Sequence, residues 1–205
     1  MSAKIKPPRW VVGCAMIGMA VHLTTAADFF EDFTTPPSHD HWLTHGDDAL
    51  FQWNPAGHLD LTWDSNRTNS YFFHRLGTIL GKDDDFTLAF ELRLKSILSG
   101  FREDKPHTFE LALGLINVAD ATRTNFFRGA GTGSVKNLFE FDYFPDNGLG
   151  ATIWPAVWST NASLSYRDGN DYTLIELPLN TVLQIQMQYT ATNQTLRTTI
   201  MADGQ

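Results

Sequence analysis

Glu140 and Asp142 stand two residues apart in the stretch Asn137-Leu138-Phe139-Glu140-Phe141-Asp142-Tyr143-Phe144-Pro145-Asp146-Asn147-Gly148. On a β-strand successive side chains take opposite faces, so Phe139, Phe141 and Tyr143 share one face and the two acids the other, about 7 Å apart along the strand. Like charges at that spacing repel each other. Three arrangements relieve them: a hard cation between the oxygens, a shared proton that raises one pKa, or free contact with water.

Other residues carry chemistry beside an ordinary reading. Trp154 and Trp158, either side of Pro155, offer flat faces on which the C–H groups of a sugar ring can stack; packing in a core or loop is the alternative. His39, Asp40, His41 and His45 are metal-ligating residue types, but beside Pro36-Pro37 they fit a solvated loop. Asp83-Asp84-Asp85 could give oxygen ligands to calcium, or form a charged turn before the strand at Phe86. Asn125 and Arg128, with the glycines at 129, 131 and 133, could meet a ligand through backbone groups. That glycine run lacks the Lys-Ser/Thr ending of a phosphate loop, which argues against nucleotide binding. Asn66-Arg67-Thr68, Asn161-Ala162-Ser163 and Asn193-Gln194-Thr195 are glycosylation sequons, relevant where the host glycosylates exported proteins.

The elements that must position these groups are strands. Phe86, Leu88, Phe90, Leu92 and Leu94 alternate with more polar residues, the pattern of a half-buried strand. The alternation returns at Phe109 to Leu115, at Leu183, Ile185, Met187 and Tyr189, at Leu59, Leu61 and Trp63, and more weakly at Leu196, Thr198 and Ile200. No window beyond the N-terminal segment has a convincing helical period. Turn signals at Pro36-Pro37, Asn54-Pro55-Ala56-Gly57, Gly81 to Asp85, Gly129 to Ser134, Asp146-Asn147-Gly148 and Arg167 to Asp171 divide the chain into short strands, which predicts an all-β sandwich or barrel. Residues 95 to 107 and 117 to 136 are the longest structureless stretches, long enough to be functional loops. Asp203-Gly204 is a hairpin signal that ordinarily precedes another strand, so a C-terminal strand beyond Gln205 is expected.

Residues 1–27 read as an export signal. Lys4, Lys6 and Arg9 form a basic start, Trp10 to Leu23 an apolar run too short to span a bilayer, and Thr24 to Ala27 a small-residue cleavage region. Val11-Val12-Gly13-Cys14 is a weaker match to a lipoprotein acylation box. Removing residues 1–27 takes away three basic residues and no acidic ones, which moves the formal charge from -8 to -11, and it removes the only cysteine. A single disulfide-free domain over 28–205 is expected, long enough to bury roughly 70% of its unfolded surface. The acidic excess disfavours nucleic acid and anionic membrane as partners, and no integral membrane span is expected after signal removal.

The strand at Glu140 resembles the metal-binding strand of legume lectins, members of the concanavalin A-like lectin and glucanase superfamily. Glu-Phe-Asp, an aromatic pair, Pro and Asp carry the likeness. The resemblance implies a two-sheet antiparallel jelly-roll sandwich, with Glu140, Asp142 and Asp146 as metal ligands. Asp146 stands where those lectins usually have Asn, Ala151 where they have a second bridging Asp, and no histidine matches theirs, so a single calcium site is what the likeness implies. The same strand is less similar to that of laminarinase-type glucanases. There Glu140 would be the nucleophile and Asp142 its neighbour, but Phe144 stands where the acid/base belongs. A looser likeness runs from Asp28-Phe29-Phe30-Glu31-Asp32-Phe33 through Trp42, Gly46-Asp47, Phe51-Gln52-Trp53 and Gly57-His58-Leu59. The resulting expectation is a secreted lectin-like module for glycan or a surface polysaccharide, its ligand met by Trp154, Trp158, Asn125 and Arg128. A glycoside hydrolase, or a structural surface domain without ligand, is the alternative.

Overall fold

The computed structural model describes residues 28–64, 67, 70–98, 111–123, 137–145, 150–158 and 173–203, with Trp158 described by its backbone alone. The expectations for residues 1–27, for Asn125, Arg128 and Asp146, and for the sequons at Asn66 and Asn161 therefore fall outside the described residues. The chain divides into two units, Met1–Phe30 and Glu31–Gln205, and every described strand belongs to the second.

Eleven strands are described: β1 Trp42–His45, β2 Phe51–Asn54, β3 His58–Leu61, β4 Tyr71–His74, β5 Phe86–Leu92, β6 Leu111–Ile116, β7 Leu138–Phe144, β8 Thr152–Trp158, β9 Thr173–Leu174, β10 Leu183–Thr190 and β11 Thr195–Ala202. They form four antiparallel sheets, ordered β1-β4, β2-β3, β11-β10-β5 and β6-β7-β8-β9. The expected all-β antiparallel class is what the chain adopts.

The last two sheets face each other across the core. In β10 the apolar set Leu183, Ile185, Met187 and Tyr189 is buried and Gln184, Gln186 and Gln188 are exposed, the outcome that strict alternation dictates. Register sets those four opposite Leu92, Phe90, Leu88 and Phe86 of β5, and Ile200 and Leu196 of β11 complete the layer. From the opposing sheet come Phe139, Phe141, Tyr143 and Ile153. Edge-to-face pairs join the layers, Phe86 on Phe139 with centroids 4.8 Å apart and Phe90 on Phe141 at 5.9 Å. The Tyr143 hydroxyl accepts a hydrogen bond from the Leu177 amide, and that of Tyr189 donates to the Lys82 carbonyl, so each buried phenol has a partner.

Pro155 lies inside β8, opposite Phe141. Proline has no N–H, so a strand tolerates it where one side needs no donor. Among the described residues β9 pairs with β8 at Thr152 and Ile153.

The first loop expected to be functional, 95–107, is described only to Leu98. The second, 117–136, starts not as loop but as a one-turn helix, α1, Val118–Ala121. Asn117 caps it by accepting from the Asp120 amide, and the Asn117 N–H donates to the carbonyl of Asn137 at the entry to β7. A helix this short leaves no period for a sequence reading to detect.

The β2-β3 hairpin turns at Asn54-Pro55-Ala56-Gly57 as expected, with Gly57 at φ 80° in the left-handed region that its lack of a Cβ makes accessible. Across it, the Asp60 carboxylate accepts from Lys95 Nζ and from Asn54 Nδ2 at 2.8 Å. Those two hydrogen bonds hold the Asp60 pKa down at about 2, against an ordinary 3.8. A folded pKa below the unfolded one gives a contribution present above pH 3.8 and lost as pH falls through about 2. Both side chains are over a third exposed, so the contribution is below about 1 kcal/mol. In Lys95→Ala the Asp60 carboxyl carbon, followed by NMR, is expected to titrate closer to its ordinary midpoint; an unmoved midpoint would contradict the assignment.

Candidate functional site

β7 and β10 are the central strands of the two facing sheets, and both alternate in sequence. Their burial differs. β10 has one buried and one exposed face, whereas all seven residues of β7 are buried. One face of β7 is the core side, carrying Phe139, Phe141 and Tyr143. The other carries Leu138, Glu140, Asp142 and Phe144, so the two acids do share a face, with Glu140 7% and Asp142 3% exposed.

Register identifies their neighbours. Glu140 lies between Gly114 of β6 and Ala156 of β8, and Asp142 between Ala112 and Trp154. Small residues thus flank the carboxylates on three sides and an indole stands on the fourth. Trp154 is buried and tilts against Phe144 with ring centroids 6.3 Å apart. Thr152, at the far end of the same face, is wholly enclosed. Glu140, Asp142, Thr152 and Trp154 each take part in an interaction within the protein.

Gly114 is the residue on which this arrangement turns. A Cβ placed there would lie 2.1 Å from the Phe139 carbonyl oxygen and 2.5 Å from both Cα and Cβ of Glu140. Only a residue without a side chain lets β6 approach β7 this closely beside Glu140. Gly114 itself is exposed, so water reaches the β6 side of an otherwise closed face.

Of the residues expected to act together, Glu140, Asp142 and Trp154 share this face. Trp158 ends β8 opposite Leu138 in register. The acids of 83–85 act as turn fasteners: Asp84 accepts from the Gly81 amide at 2.7 Å, Asp85 from the Ala191 amide at 2.7 Å, and Asp83 pairs with Lys82. His39, Asp40 and His41 lie in an exposed turn, but His45 belongs to β1, where it stacks on Tyr71 at 6.0 Å. Among the described residues no group of three or more His, Cys, Asp or Glu is placed to hold a metal ion. Calcium takes six to eight oxygens, so Glu140 and Asp142 alone do not make a calcium site.

An aromatic row on the β1-β4 ribbon escaped the sequence reading. Trp42 stacks on Phe72 with centroids 4.7 Å apart and planes 5° from parallel, Phe72 on Phe51 at 5.6 Å, and Phe33 tilts against Trp42 at 5.4 Å. Phe33 sits at φ 53°, held there by its amide donating to Glu31 Oε1 and its carbonyl accepting from Trp53 Nε1. The run Tyr71-Phe72-Phe73-His74 was the available signal; without period-two alternation it does not announce a strand.

No protein-family model matches the chain, and no curated protein matches it. No helix among the described residues is long and apolar enough to cross a membrane.

Proposed function

We propose that this is an exported lectin-like β-sandwich that binds carbohydrate, or another hydroxyl-rich surface polymer, at the enclosed face of β7. The observation that supports the reading is the contrast between β7 and β10. Where β10 turns glutamines to water, β7 buries two carboxylates. Withdrawing a carboxylate from water costs several kcal/mol before its hydrogen bonds compensate, and Glu140 and Asp142 each interact within the protein. Ligand recognition is the role we assign to that face. A carboxylate accepts hydrogen bonds from neighbouring hydroxyls, and an indole packs against sugar C–H groups. The concanavalin A-like jelly roll is the fold reading that accompanies this function, and residues 1–27 serve as the export signal.

A glycan array probed with the mature protein, with and without a chelator, tests the proposal. Neutral glycans are expected to be retained, and a loss on chelation would add calcium, with Asp146 completing its ligands. Retention of no glycan in either condition would remove the lectin assignment. Glucanase chemistry is separated by β-glucan hydrolysis: equal rates for wild type and Glu140→Gln exclude Glu140 as a nucleophile.

A further inference from the structure

We infer that Asn193 is an acceptor for N-linked glycan. Of the three sequons, this one lies within the described residues, and its placement suits the chemistry. β10 and β11 are closed by the pair Thr190 and Thr195, leaving Ala191, Thr192, Asn193 and Gln194 as a four-residue loop. The Gln194 amide donates to the Ala191 carbonyl at 3.2 Å and Gln194 takes φ 53°, which completes the reversal. Asp85 anchors the loop by accepting from the Ala191 amide. Asn193 and Gln194 occupy the exposed tip.

Two further features single out Asn193. Its carboxamide has no hydrogen-bond partner among the described residues, and its backbone carbonyl accepts from the Thr195 hydroxyl at 3.5 Å. The side chain therefore has no part in holding the turn, and the hydroxyl that defines the sequon lies beside the residue to be modified. A bulky polar adduct at a hairpin tip displaces no packed group, since the buried residues of β10 begin at Tyr189 and point into the core. In the transfer, the Asn193 amide nitrogen forms a bond to C1 of a saccharide carried on a lipid-linked pyrophosphate. The C1–O bond to that pyrophosphate breaks with its electron pair, and one amide proton is released. The reaction needs the secretory compartment, so the inference rests on the export reading.

The test is expression of the full chain in a eukaryotic cell that N-glycosylates its exported proteins, beside a version carrying an established leader in place of residues 1–27. Protein from the medium and from secretory membranes is digested with peptide N-glycosidase in heavy-oxygen water, and the peptide containing Asn193 is read by mass spectrometry. Conversion of Asn193 to heavy-labelled aspartate is expected, lost in Asn193→Gln and Thr195→Ala and kept in Thr195→Ser. An unmodified Asn193 in protein delivered by the established leader overturns the acceptor assignment. Modification with that leader alone, and none with the native residues 1–27, overturns the export reading and leaves Asn193 as an acceptor.

Discussion

Gly114→Ala is expected to lower the unfolding free energy by about 3 kcal/mol, the upper part of the range for inserting one carbon where the surroundings are already packed. The cause is backbone. The new Cβ would meet the Phe139 carbonyl oxygen at 2.1 Å and Glu140 Cα at 2.5 Å, and neither can be moved by rotating a side chain. Relief requires β6 and β7 to separate, which breaks the register of Gly114 with Glu140 and disturbs the core side through Phe139. Urea unfolding at constant m value measures the loss. A variant within 0.5 kcal/mol of wild type, the usual range for an exposed site, would show that β6 does not approach β7 as described.

Phe141→Ala should cost about 4 kcal/mol, as truncation of a buried aromatic does when its surroundings cannot collapse into the space. Phe141 is fully enclosed between the two sheets and meets the Phe90 edge. Gln186→Ala is the matched control. It sits on the central strand of the other sheet with its side chain in water, and should change stability by less than about 0.5 kcal/mol. Equal effects of the two substitutions would mean that the faces of β7 and β10 have been wrongly assigned.

The strands were legible where one face is wet and the other dry. β10 and β5 alternate cleanly because water selects glutamine, threonine and glutamate on one side and the core selects leucine, phenylalanine and methionine on the other. Partner choice was not legible. A period of two specifies which face a side chain takes but not which strand lies alongside, so the joining of β5 to β10, nearly a hundred residues on, left no local trace. β8 was hidden by Pro155, which reads as a break in a strand. The pairing of Glu140 with Asp142 on one face followed directly from alternation. Their burial did not, because a charged residue on an alternating strand ordinarily means solvent. Nor did a glycine in the run Leu113-Gly114-Leu115 disclose that its missing Cβ is what gives Glu140 its place.

Binding at the β7 face is the claim on which the functional account stands, and the affinity of a glycan retained on the array measures it most directly. Titration calorimetry of that glycan against wild type, Glu140→Gln, Asp142→Asn and Gln186→Ala compares the enclosed face with the exposed one. Each substitution on β7 is expected to weaken Kd at least tenfold, about 1.4 kcal/mol, and Gln186→Ala to leave it unchanged. Equal affinity across all four folded proteins would place the ligand elsewhere on the molecule.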